Sequence, residues 1–324
     1  MRDIPQELTH GPFTVARALE LGLSQEVLSR SRFRTPWSGV RILSTFPESL
    51  AATCQAAALV LPADAVFSHD TAVTLAGWLS PRAGDRESTA YRPLPADGAQ
   101  PVHVAVADRR APQGKQVIGH RLALSPDDVI TVGGLRVTSP WRTWCDLGAA
   151  GADHTDLVIL ADALRRRFPA AASQRLASRL DAWGPGRGGH SLRRALECSR
   201  DGVDSPMETR LRLLFVEGGL PEPEVNQWVR LEDGTPIHRP DLSWPQWRVA
   251  ADYDGIHHSE RDDDESVRRG RASNWRQRQD NSRRDLMDEA RWRLRVFTAL
   301  DVFQRGLVSV ERMRTTLRAA GAPV

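Results

Sequence analysis

Lysine is nearly missing from this chain of 324 residues: Lys115 stands alone, so the basic side chains are almost all arginine. Arginine suits phosphate, which its planar guanidinium grips through two parallel hydrogen bonds. A GC-rich genome also writes arginine where another writes lysine, and the formal net charge is only +3. Charge alone therefore does not argue for a nucleic-acid partner. Cysteine is scarce as well. Cys54, Cys145 and Cys198 are odd in number, far apart and in no CxxC pair. That excludes a disulfide frame and a cysteine zinc site, and predicts buried thiols in a reducing compartment. No apolar run approaches the ~18 residues of a membrane helix, and "MRDIPQELTH" lacks the basic-then-apolar order of a signal peptide. A soluble, cytoplasmic protein without a membrane partner is expected.

What is present divides the chain into three: residues 1–47, 48–183 and 190–324. The last two are separated by "WGPGRGG" (183–189), whose turn chemistry reads as a flexible hinge. In the first segment, "FTVARALELGLSQEVLSRSRF" predicts two short helices with Gly22 at the break and Ser24 as a cap. Ala18, Gly22 and Leu28 have helix-turn-helix spacing, and "TPWSGVRIL" reads as a turn and strand, the wing of a winged helix. Arg30, Arg32, Arg34 and Arg41 lie on or after the second helix and are the candidate phosphate contacts. The competing reading is a plain helical hairpin with solvated arginines.

The middle segment alternates helix and strand, with a hairpin at "VITVGGLRVTS" and a helix opening at Ser139–Pro140. It predicts a mixed α/β domain. Its histidines, His69, His103 and His120, are expected to share no face at metal spacing, and so to be hydrogen-bonded structural groups.

The last segment carries the chemistry. "SPMETRLRLLFVEGG" predicts an amphipathic helix capped by Ser205, followed by strands at "EVNQWVRL", "TPIHRPDLSW" and "QWRVAADY". A long polar helix over roughly 262–290, a strand at "RLRVFTA" and a final helix complete it. Asp252 and Asp254 are two apart and share a strand face. Pairing through the turn at Trp244–Trp247 brings Asp241 level with Asp252. Three carboxylates together repel enough to protonate one of them unless a divalent cation sits between them. A hard, oxygen-seeking ion, Mg2+ or Mn2+, fits. His257 and His258 follow the strand as candidate general acid or base, or phosphate contacts. Glu208 completes a capping box with Ser205, and capping and ligation are both open to it. Asp254 precedes Gly255 and has a turn-shaping reading beside the ligating one.

The order helix–β–β–β–helix–β with its D…DxD and histidines resembles the PD-(D/E)xK nuclease superfamily, and more closely the very-short-patch-repair-type endonuclease domain. The likeness spans about Ser205 to Val302 and rests on Glu208, "RPDLSWP", "DYDGIHH", "QDNSRRDL" and "RWRLRVFT". It implies a restriction-endonuclease-like αβββαβ domain, with Asp241, Asp252 and Asp254 as metal ligands and Arg283 and Arg284 as DNA contacts. Asp252 stands where the family has Glu, Asp254 where the superfamily has its lysine, and Arg291 where the family has Gly. "FTVARALELGLS", "FSHDTAVTLAGW" and "GLRVTSPWRTWCDLGA" resemble the antitoxin of type IV abortive-infection (AbiE) toxin–antitoxin systems. That likeness implies a winged helix on an α/β domain, DNA binding, phage defence and a cognate toxin as a further partner. The expectation is a metal-dependent DNA endonuclease delivered by its N-terminal segment. The alternative is a non-catalytic repressor or antitoxin.

Overall fold

The computed structural model describes residues 4–79, 101–107, 110–255 and 284–324. It is a mixed α/β protein of two compact units. The first holds Gln174–Arg193 with the described parts of Met1–Ser80 and Arg92–Asp153; the second holds His154–Ser173 and Arg194–Val324.

In the first unit, strands β1 (Phe13–Thr14), β2 (Phe33–Arg34) and β3 (Val40–Leu43) form an antiparallel sheet in the order β1-β3-β2. Helices α1 (Val15–Glu20) and α2 (Gln25–Leu28) are capped by Thr14 and Ser24, whose hydroxyls accept from Arg17 and Val27 N–H. The second helix is a single turn. A six-stranded mixed sheet follows. It comprises β4 (Val66–Phe67), β5 (Val102–Val106), β6 (Gln113–Gly114), β7 (Val117–Arg121), β8 (Val129–Val132) and β9 (Leu135–Thr138), in the order β6-β7-β5-β4-β9-β8. The β8–β9 hairpin turns at Gly133 and Gly134, both at positive φ, as its two-residue loop requires. Helices α3 (Leu50–Ala58), α4 (His69–Ala76) and α5 (Pro140–Ala150) accompany this sheet.

Beyond α6 (His154–Arg167), α7 (Ala172–Trp183) ends where the glycine tract begins, and α8 (Gly189–Cys198) starts where it ends. The hinge expected there is a close-packed turn instead. At Gly188 (φ +79) a Cβ would lie 2.3 Å from the Gly148 carbonyl oxygen. Glycine is present for close approach as well as for its backbone freedom.

In the second unit, α9 (Pro206–Glu217) precedes a four-stranded sheet of β10 (Glu224–Val225), β13 (Leu242–Trp244), β14 (Val249–Tyr253) and β15 (Arg293–Phe297), paired in that order. The first two expected strands each break in two. Their other halves, β11 (Val229–Arg230) and β12 (Pro236–His238), form a separate ribbon. Strand β14 runs antiparallel to β13 and parallel to β15. Its alternation divides the core: Val249 and Ala251 join Leu211, Phe215, Trp244 and Phe297 on one face, while Ala250 meets Val229 and Met287 on the other. A helical segment at 284–289 (α10), then α11 (Ala299–Phe303) and α12 (Gly306–Ala319), complete the unit. Most of the expected long polar helix lies outside the described residues. Cys54 and Cys145 are buried and Cys198 half-buried, all three as free thiols.

Buried ion pairs stiffen the second unit. Asp162 on α6 accepts from Arg212 (3.0 Å) and Thr209 (2.9 Å) of α9 and from the Arg200 N–H (2.6 Å). Removing one partner of such a pair strands the other as a buried charge. Asp162→Ala should therefore cost roughly 3–5 kcal/mol in denaturant unfolding; a loss below about 1 kcal/mol would show that water solvates Arg212.

Candidate functional site

The site is built from three short pieces of the second unit. Ser205 caps α9, its Oγ accepting from the Glu208 N–H at 3.2 Å, and this fixes Glu208 in the first helical turn. The Glu208 carboxylate does not close a capping box. Its Oε2 accepts from the Asp204 N–H at 2.9 Å and from Asn226 Nδ2 at 2.6 Å. Asn226 sits just after β10 at φ +52, a left-handed conformation that asparagine tolerates better than most residues. It also donates from Nδ2 to the Gly202 carbonyl and from its N–H to the Asp241 carbonyl.

Asp241 immediately precedes β13. The pairing Leu242↔Ala251 places it beside Asp252, as the sequence reading expects. The contact is reciprocal: Asp241 N–H donates to Asp252 Oδ1 at 3.2 Å, and Tyr253 N–H donates to Asp241 Oδ2 at 2.6 Å. Asp252 Oδ2 meets His238 Nε2 at 2.7 Å. Glu208, Asp241 and Asp252 are all buried or nearly so. Burial raises the Asp241 carboxyl well above its usual range, and the neighbouring charges of Glu208, Asp252 and Asp204 add to the rise; the Tyr253 N–H opposes it. Burial likewise raises Glu208, against the N–H of Asp204 and the amide of Asn226.

Arg239, the structural arginine closest in sequence, does not neutralise Asp241. Its Nε donates to the Asn226 carbonyl and its guanidinium pairs with Asp204 at 2.9 Å. Asp254 lies just past the end of β14, half-buried, its N–H bonded to the Phe297 carbonyl at 2.7 Å. The trio that the structure assembles is thus Glu208, Asp241 and Asp252, with Asp254 farther along the strand. His257, His258 and Arg283 lie outside the described residues. Arg284, the first described residue of α10, is exposed.

Sequence reasoning missed His238 and Asn226. With "TPIHRPDLSW" read as one strand, His238 and Asp241 are three apart and on opposite faces. The break at Arg239–Pro240 between β12 and β13 removes that parity. Proline without its N–H was the available signal.

Of the N-terminal arginines, Arg34 pairs with Glu48 and donates to the Phe46 carbonyl, while Arg41 donates to the Leu28 and Val40 carbonyls. These two hold their own unit together. Arg30 pairs with Glu26 at the surface and Arg32 is exposed.

A second cluster corrects the sequence reading. His69, His103 and His120 do meet. Each offers a ring nitrogen, and all three lie within 4.8 Å of one another. Burial pushes His69 down to about 3 and His120 to about 4, with neighbouring histidine charge as a further cause; His103 is lowered by burial as well. In a parallel pair His120 lies opposite Ala105, two residues from His103, so both rings leave the same face. Nothing in a single sequence fixes that register.

Among the described residues no helix is long and apolar enough to cross a membrane. Comparison with protein-family models, with curated proteins and with solved structures finds no match to this chain.

The crowding of acids makes a pH prediction. A carboxyl raised in the folded state stabilises most below its unfolded pKa and loses that contribution as pH climbs through the folded value. Asp241→Asn, which keeps an acceptor for the Tyr253 N–H, should gain about 1–2 kcal/mol over wild type at pH 8 in EDTA. The gain should vanish as pH falls into the ordinary carboxylate range. Urea unfolding at several pH values reads this, and a gain independent of pH would contradict it.

Proposed function

We propose that the chain is a metal-dependent DNA endonuclease whose hydrolytic site is the Glu208–Asp241–Asp252 cluster. The observation that carries this reading is the Asp241–Asp252 pair, side by side with Asp252 buried and Asp241 half-buried, where the Glu208 charge opposes Asp241 and Arg239 turns to Asp204. Carboxylates crowded together repel one another, and a bound cation offsets that repulsion.

The donor set suits a hard ion. Asp241 and Asp252 supply carboxylate oxygens, and Mg2+ commonly needs only one or two of these, with water and substrate phosphate filling the rest. Such an ion polarises a phosphodiester and stabilises the departing oxygen. Glu208, held by Asn226, would steady the site, and Asp254, just past the end of β14, would assist. His238, already on Asp252, is placed to hold or move a proton near the scissile phosphate. His257 and His258 remain candidates for the same task.

Element order supports the very-short-patch-repair-type reading. Helix α9 precedes a β13–β14 hairpin, and β15 returns parallel to β14, as an αβββαβ endonuclease domain requires. Arg291, at the position where that family has glycine, holds φ +59, a conformation that favours glycine. The three-stranded sheet with α1 and α2 is consistent with a small winged helix, in which Arg30 and Arg32 are the arginines left at the surface.

The second reading is a non-catalytic DNA-binding repressor or antitoxin. One observation favours it: amide donors already meet Glu208 and Asp241, so the fold holds together on internal hydrogen bonds. Plasmid nicking separates the two. Purified protein with Mg2+ or Mn2+ should relax supercoiled DNA, and Asp241→Ala should lower the rate by at least about a hundredfold. Equal nicking by wild type and variant, or none with either ion alongside retarded migration of its own promoter DNA, would favour the repressor.

A further inference from the structure

We propose that His69, His103 and His120 form a binding site for a divalent transition-metal ion of the zinc class, separate from the acidic site and in the other unit. Three imidazoles from three elements converge: His69 opens α4, His103 is on β5 and His120 is on β7. Their rings stack, with centroids 3.8 Å apart for His69 and His120 and 5.1 Å for His103 and His120. His103 Nδ1 and His120 Nε2 already stand 2.9 Å apart. Two nitrogen donors of a tetrahedral zinc ion are roughly 3.3 Å apart, given Zn–N bonds of about 2.0–2.1 Å, so a small outward shift of these rings would suffice.

The frame around the rings is built for position. Ser68 is the N-cap of α4, yet its hydroxyl makes no capping bond; Ser68 Oγ instead meets His69 Nδ1 at 2.9 Å. In the tautomer whose Nδ1–H donates to Ser68, Nε2 carries the lone pair that a metal takes, the arrangement in which a second contact orients a metal-binding imidazole. His69 also holds φ +51 at the head of a helix, a conformation uncommon outside glycine. Two hydrogen bonds tie the start of α4 to β5: Ser68 N–H to the His103 carbonyl at 3.0 Å, and His103 N–H to the Thr71 side-chain Oγ1 at 2.9 Å. The Arg142 guanidinium, whose charge reaches His69, is itself held by Asp128 and Asp146. A helix cap and a relaxed backbone are both given up, and each concession aims the same ring.

Imidazole donors select zinc, cobalt, nickel or copper and not Mg2+ or Ca2+. With three protein ligands, the fourth position of a tetrahedral ion is left to water or to an outside group. Cobalt(II) reports this directly, because its visible absorption reveals a tetrahedral nitrogen site.

Full-length protein stripped with EDTA should bind one Co2+ with visible absorption, lose that absorption when Zn2+ is added, and show a higher melting temperature with Zn2+. His103→Gln and His120→Gln should each weaken Co2+ binding by at least about tenfold, while excess Mg2+, which imidazole donors do not select, leaves the Co2+ absorption in place. The wild-type titration decides even if a variant fails to fold: no absorption and no rise in melting temperature would overturn the site. Equal Co2+ binding by wild type and both folded histidine variants would also overturn it.

Discussion

The second unit depends on the mutual repulsion of carboxylates held together in a medium too poor in water to screen them. Glu208, Asp241 and Asp252 come from a helix start, a strand start and a strand interior. Each is fixed by a backbone device rather than by a cation: the Ser205 cap for Glu208, and the reciprocal amide contacts of the β13–β14 register for Asp241 and Asp252. Because backbone N–H groups set these positions, the acids stay close even while their charges oppose one another. Such a site stores unfavourable electrostatics that a bound cation would release, and under the proposed function its stability cost is the counterpart of binding.

Elsewhere the same chain treats buried acids differently. Asp162 meets Arg212, and Asp128 and Asp146 share Arg142. Each of these acids has a guanidinium partner, and Asp128 has a second in Arg179. At the acidic cluster Arg239 turns aside to Asp204, and the His238 ring meets Asp252. In a protein this rich in arginine, amide dipoles and a histidine surround one group of acids while guanidinium groups serve the others, and the proposed ion site rests on that contrast.

Much of this was legible in the sequence because it is local. The caps at Ser24 and Ser205, the Gly133–Gly134 hairpin and the pairing of Asp241 with Asp252 through the turn at Trp244–Trp247 all follow from short-range rules. What was not legible is non-local. Glu208 reaches Asn226, 18 residues away, only through the tertiary fold that brings the end of β10 to the start of α9. His238 reaches Asp252 only because the strand breaks at Arg239–Pro240. The meeting of His69, His103 and His120 depends on the β5–β7 register and on a helix start 34 residues earlier in the chain than β5's histidine. The glycine tract at 183–189 misled for the same reason: Gly188 is required by the carbonyl of Gly148, which no local pattern announces.

Calorimetric titration of Mg2+ into wild type and Asp252→Asn tests the central claim most directly, because Mg2+ ignores the histidine cluster and needs no knowledge of the DNA substrate. Wild type should bind one Mg2+ per chain, more tightly as pH rises and Asp241 releases its proton. Asp252→Asn should weaken that binding by about tenfold or more. Identical heats for the two proteins, or no binding by wild type at pH 8, would contradict the account and leave the acids without a cation to hold.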